Sequence, residues 1–203
     1  MATLNFSERS IVDFKSRMTG GGARSNLFEV TIEYPDLLGL PTDSDGPKAT
    51  GEFLIKAAEI PASNLGNIPV PFRGRVLPVA GDRTFDPWTV TVINDNNFKI
   101  RDAMEKWSNF INDLQTSQGS VNPEEYQTSA FVKQLSRKGG INPGEIDILR
   151  EYRFEGIYPN VVSSIPLDYG ATDQIEEFQV TFNYLFYSVP SGSTVTSAGG
   201  SLI

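Results

Sequence analysis

The chain has 203 residues, of which 39% are hydrophobic and 11% aromatic, and a formal net charge of −8. That is long and apolar enough for one domain with a packed core, and it excludes disorder throughout. With no cysteine and no histidine, thiol nucleophiles, disulfide staples, the usual structural zinc sites and the usual general base near neutral pH are all removed. The acidic balance excludes tight nucleic-acid binding through a basic patch, though not work close to DNA.

No stretch approaches the roughly 20 apolar residues that cross a bilayer. The opening segment "MATLNFSERSIVDFKSRM" lacks the apolar block of a secretory signal. The expectation is a soluble protein made in a cytoplasm, with no membrane contact, no metal and no cofactor.

Residues 1–24 read as an arm. Ser7 is placed to cap a short helix carrying Ile11, Val12 and Phe14, which "TGGGARS" ends. From Asn26 the pattern alternates: Phe28, Val30, Ile32 and Tyr34 face one way, Glu29, Thr31 and Glu33 the other, as in a half-buried strand. Residues 35–51 form a turn-rich insertion, and "EFLIKAAEIP" reads as the returning strand. "ASNLGNIPVPFRGRVLPVAG" is an extended, proline-punctuated loop or hairpin, because Pro69, Pro71 and Pro78 exclude a central strand.

The stretch "AGDRTFDPWTVTVIND" follows. Trp88, Val90 and Val92 share one face of a strand, and Thr89, Thr91 and Ile93 the other. Asp95 or Asn96 then caps the longest helix, in which Ile100, Ala103, Met104, Trp107, Ile111 and Leu114 form one stripe. "TSAFVKQLSR" is a strand. "EIDILREYRFEGIYP" alternates, with Ile146, Ile148, Tyr152 and Phe154 inward. "EEFQVTFNYLFYSV" puts Phe178, Val180, Phe182, Tyr184 and Phe186 on one face. Residues 189–203 are a small, polar tail. The fold class is mainly β: a β-sandwich or small β-barrel, residues 25–188, with one flanking α-helix.

Asp82 and Asp86 flank Arg83. A carboxylate pair can do acid–base work, but no nucleophile or phosphate clamp stands near, and a turn-stabilising Asp82–Arg83 ion pair is the simpler reading. The acidic strand faces lack calcium-loop spacing and read as solvated surface. A sandwich that binds a ligand and a carboxylate-dependent hydrolase are the readings from other classes. The long alternating strands leave open sheet edges, which subunit pairing or ring closure would satisfy.

"AGDRTFDPWTVTVIND" resembles the central motif of the tail tube proteins of contractile-tailed, T-even-type bacteriophages. Gly81, Asp82, Arg83, Thr84, Phe85 and Trp88 carry it. "RSNLFEVTIEY", "IKAAEIPASNLGNIPVPFRGRVLPVAGDRTFD", "RDAMEKWSNF", "EEYQTSAFVKQLSR" and "IEEFQVTFNY" resemble the family's other segments in order and spacing. The arm, the 35–51 insertion and the tail depart from that pattern.

The resemblance implies a sandwich that assembles as hexameric rings stacked into a tube inside the virion tail. It implies partners too: further copies of itself, the tail sheath protein, baseplate and tail-terminator proteins, a tape measure protein in the lumen, and DNA only in transit. Tubes of type VI secretion and extracellular contractile injection systems share the architecture and are the near alternative. Stacking contacts are expected from the proline-rich loop at Ile68, Pro69, Val70, Phe72 and Arg73. Six copies multiply the charge of −8 sixfold, so acids are expected on the bore, where a negative wall repels phosphate. The candidates are Glu29, Glu33, Glu145, Asp147, Glu151 and Glu155. Asp82 and Arg83 would order the turn before the strand, Pro87 would fix its entry and Trp88 would anchor the core.

Overall fold

A computed structural model describes residues 11–18, 21–42, 46–139 and 146–190. In chain order its elements are α1 (Ile11–Arg17), β1 (Phe28–Ile32), a 3-10 turn (Asp36–Leu38), α2 (Pro47–Leu54), β2 (Ile55–Ala58), β3 (Asn64–Phe72), β4 (Arg75–Thr84) and β5 (Trp88–Ile93). They continue with α3 (Lys99–Ile111), α4 (Pro123–Tyr126), β6 (Thr128–Gly139), β7 (Ile146–Val162), β8 (Glu177–Asn183) and β9 (Phe186–Ser188). The protein is mainly β. One sheet runs β1-β6-β7-β8-β5-β2 with β9 paired to β7, and β3 and β4 form a separate two-stranded sheet.

The chain forms two compact units: the residues up to Glu29 with Lys133–Glu151, and Val30–Val132 with Tyr152–Pro190. In the first, the Gln134 side chain donates to the carbonyls of Arg24 and Leu27, 2.6 Å each, and Leu135 N–H donates to Leu27 O at 2.9 Å. Its helix α1 buries nothing: Ile11, Val12 and Phe14 are all exposed. Ser7 lies outside the described residues, as do Glu145 and residues 191–203.

The second unit holds the core. β5 pairs β8 in register, Trp88 against Phe182, Val90 against Val180 and Val92 against Phe178. All six are buried, so strict alternation on both strands produces one continuous apolar face. Trp88 stacks on Phe154 with centroids 4.5 Å apart, and its indole N–H donates to Glu59 O at 2.9 Å. Helix α3 lays Ile100, Ala103, Met104 and Trp107 into the core. The Trp107 N–H donates to Tyr126 O at 2.8 Å, so neither indole leaves a buried donor unpaired. Asp95 accepts from Lys99 N–H at 3.0 Å and so satisfies a free donor of the first helical turn.

Several sequence expectations need correction. "EFL" is the end of α2, and the strand begins only at Ile55. Pro47 at the first helical position, where no N–H is needed, starts that helix inside the turn-rich stretch. Thr31 does not face solvent. It is buried and its hydroxyl donates to Glu52 of α2 at 3.1 Å, so β1 is covered on both faces. Leu114 lies beyond the end of α3 and is exposed.

The last aromatic stripe also breaks. Phe178, Val180 and Phe182 are buried, but the ladder stops at Asn183 and Phe186 is 49% exposed. On β7 the buried positions switch from even to odd numbers, Phe154 then Ile157. Gly156 between them has φ +65°, and a Cβ there would stand 2.6 Å from the Leu185 side chain. A left-handed residue inside a strand re-aims the side chains that follow it, and strict alternation cannot cross it.

Tyr34 packs against Trp107, centroids 5.7 Å apart, and burial pushes its phenol well above the usual value. Partial burial, with Tyr187 and Asp86 nearby, also raises Tyr184. A phenol whose folded-state pKa is raised stays protonated while the unfolded chain ionises. Its contribution is therefore complete below about pH 10 and is lost as pH rises above it. Tyr34→Phe should flatten that alkaline loss while changing neutral stability little, as read from urea midpoints between neutral pH and pH about 11.

Candidate functional site

The features that distinguish this protein are surfaces. The first is the hairpin β3–β4. Its register is Ile68↔Val79, Pro69↔Pro78, Val70↔Leu77, Pro71↔Val76 and Phe72↔Arg75. Arg73 (φ 47°) and Gly74 (φ 81°) form the two-residue turn, both at the positive φ that such hairpin turns require. Leu65, Ile68, Val70, Phe72, Val76, Leu77 and Val79 are all at least 41% exposed. The expected loop candidates Ile68, Pro69, Val70, Phe72 and Arg73 thus belong to an apolar ribbon. The facing residues Val76, Leu77 and Val79 complete it, and the strand-like run "RVLPVAG" is their sequence signal.

The motif residues sit at the hairpin's base and beyond. Gly81 and Gly66 face each other where the register shifts between Leu65 and Asn67. A Cβ on Gly81 would lie 3.3 Å from the Gly66 carbonyl carbon and 3.2 Å from Ile68, and one on Gly66 would lie 3.1 Å from Asp82 O. The glycines let two backbones approach where side chains would separate them. Asp82 and Arg83 do not order a turn. Both are exposed within β4, Arg83 opposite Leu65, and they form no ion pair with each other. A ladder position points neighbouring side chains to opposite faces, which keeps these two apart. The corner is held instead by Asp86, which accepts from Asn64 at 2.5 Å. Thr84 ends β4 opposite Asn64. Phe85 packs against Tyr184 and Tyr187, centroids 5.7 and 6.0 Å apart. Trp88, directly after Pro87, is 3% exposed.

The second surface is the border of the sheet, where β1 and β2 end its main path with no further strand among the described residues, and the short β9 pairs only with β7. The third is the set of acids. Glu29 pairs with Lys133 at 2.7 Å and Glu33 with Lys48 at 3.3 Å. Glu155 pairs with Arg153 at 2.7 Å and accepts from Ser129 at 3.0 Å. These three are neutralised locally, whereas Asp147 and Glu151 have no ion pair among the described residues. No group of three or more carboxylates at metal-binding distance occurs among the described residues. The solvent face of β5–β8 adds a polar strip that alternation made legible only in part. Thr89 and Thr181 hydroxyls meet at 3.0 Å, and Lys56 pairs with Glu177 at 2.6 Å.

An exposed apolar hairpin and sheet borders that carry no further strand among the described residues suit a protein that assembles with others. The chain belongs to the phage tail tube protein family, which it matches over residues 23–190. Tail tube protein gp19 of Enterobacteria phage T4 is 36% identical over 163 residues, 80% of this chain and 89% of that protein. The tail tube protein of Serratia phage KSP90 is 28% identical over 186 residues, 91% and 95% of the two chains. The fold also occurs at low identity elsewhere. A chain of the six-fold symmetrised anti-feeding prophage baseplate is 11% identical with a TM-score of 0.58, covering 83% of this chain and 95% of that one. A chain of the sheath–tube complex of the PVC extracellular contractile injection system in its extended state is 12% identical with a TM-score of 0.52, covering 87% and 97%. The protein is therefore a structural component of a virion tail, not an enzyme. Among the described residues, no helix is long and apolar enough to cross a membrane.

Proposed function

We propose that copies of this chain join head to tail into six-membered rings, that the rings stack into the inner tube of the tail, and that the genome leaves through its bore. The observation that carries this reading is that, among the described residues, the main path of the sheet ends in two unlike strands, β1 and β2, with the three-residue β9 a short further border on β7. An edge completed by an identical edge gives a two-fold pair. An edge completed by a different one gives a head-to-tail contact that can close into a ring. The six-fold symmetry of the baseplate containing a similarly folded chain supports the number.

The hairpin β3–β4 is the stacking element. The tail sheath, baseplate and tail-terminator proteins are the outer and end partners, and a tape measure protein occupies the lumen before use. The similarly folded chains come from sheath–tube, baseplate and terminator assemblies. The similarly folded chains from the anti-feeding prophage and the PVC injection system are 11–15% identical, while a phage relative reaches 36%, which favours the virion.

Of the bore candidates, Asp147 and Glu151 have no ion pair among the described residues, so they are the residues whose field DNA meets. A negative, polar wall repels phosphate and leaves it no binding site. Asp147→Lys with Glu151→Lys should slow genome ejection, and added salt should relieve the slowing as it screens the new contacts. Single-particle ejection kinetics at two ionic strengths test this. Unchanged kinetics in tubes of normal appearance would place the two acids away from the bore.

A further inference from the structure

Resting on that tube reading, we propose that the β3–β4 hairpin is covered on both of its faces at once, by two other copies of this chain, and that it docks through those faces and not by adding a strand to a sheet. Register and alternation divide its side chains. Ile68, Val70 and Phe72 share one face with Val79 and Leu77. Pro69, Pro71, Pro78 and Val76 share the other.

Both faces are apolar and both are open: every residue of β3 and β4 is exposed except Asn64 and Gly81, which are intermediate. A ribbon lying on one surface needs only one apolar face, and its other face is normally polar. Two apolar faces on a separate two-stranded sheet are stable in water only when each meets a cover.

Along β3 the prolines remove the alternative, and along β4 Pro78 interrupts it. Proline has no N–H, so two prolines opposite each other can only be a non-hydrogen-bonded pair. Alternation makes Pro71↔Val76 another. In such pairs the N–H groups point away from the partner strand, so those lost at Pro69 and Pro71 are the ones β3 would have presented outward. From Ile68 to Phe72 its outer edge offers no donor, which prevents a continuous ladder with a further strand.

The occupant follows from charge. The tip carries Arg73 and Arg75, neither in an ion pair among the described residues, with Arg73 stacked on Phe72 at 5.3 Å. The chain as a whole is at −8. A cationic, apolar finger on an acidic protein is complementary to further copies of that protein.

The test compares the purified wild type with Leu77→Glu on one face and Val76→Glu on the other, by sedimentation and negative-stain microscopy. Leu77 is 60% and Val76 63% exposed, so thermal melts should be unchanged. Leu77→Ser and Val76→Ser carry the same test should either glutamate variant lose its folded signal. Each charge should lower the pelleted tube fraction about tenfold or more while single rings persist. Pro71→Val, which returns an N–H to the β3 edge, should not strengthen assembly. If either face tolerates its charge with tubes like wild type, or if Pro71→Val lengthens tubes, two-face docking is overturned and the ring reading survives. A wild type that never assembles removes both.

Discussion

Trp88→Ala is expected to give insoluble or monomeric protein with no tubes. The indole is 3% exposed, stacks on Phe154 at 4.5 Å, approaches Phe182 at 5.6 Å and satisfies the Glu59 carbonyl. Truncation leaves a void between β5, β7 and β8 and strands that carbonyl without a donor. Buried Trp→Ala changes cost about 3–5 kcal/mol, a large share of the roughly 5–15 kcal/mol that holds a domain folded. For a domain of this size that corresponds to a fall of roughly 6–20 °C in Tm. Differential scanning calorimetry of the soluble fraction reads the loss. Soluble mutant protein that forms tubes and melts as wild type would contradict the anchoring role of Trp88.

Gly81→Val should separate assembly from folding. At the Gly66–Gly81 approach a Cβ would already stand at 3.1–3.3 Å from its neighbours, so the branched side chain of valine should push β4 away from β3 at the hairpin's base. Forcing extra volume into a close contact costs about 1–3 kcal/mol. Here the strain falls on a two-stranded sheet separate from the core sheet, and the core should keep its melting behaviour. Tube formation should fail because the hairpin no longer presents its apolar rows in register. Circular dichroism with microscopy distinguishes this from global unfolding. Normal tubes from Gly81→Val would mean that the hairpin's alignment does not matter to stacking.

Much of this was legible because the core strands obey simple alternation. Trp88, Val90 and Val92 on β5 and Phe178, Val180 and Phe182 on β8 form a period-two stripe, and α3 carries its own helical stripe. Prolines at 69, 71 and 78 marked a hairpin outside the main sheet. Three kinds of information were missing from the pattern. A left-handed glycine at 156 changes which parity faces inward, and nothing in "FEGIYP" announces the switch. The helix Pro47–Leu54 covers β1 from its second side, so Thr31 is buried by a tertiary contact that no local signal encodes. Asp82 and Arg83 look like a turn pair only until the pairing register assigns them to a ladder.

The acids illustrate the same limit for the site. Sequence places Glu29, Glu33 and Glu155 with Asp147 and Glu151 as equals, because alternation gives each an outward position. For Glu29 and Glu33 the partner comes from another element, Lys133 on β6 and Lys48 on α2, which alternation does not encode; only Arg153, two residues before Glu155 on the same strand, is visible locally. Only after folding do the paired carboxylates separate from the two that have no ion pair among the described residues.

The unlike sheet borders of one copy should be completed by the next copy. Sedimentation velocity of the purified full chain over a rising concentration series decides whether they are. The expected result is a discrete six-copy species that gives way to long polymers at high concentration. A single monomer boundary at every concentration, with folded circular dichroism throughout, would contradict it.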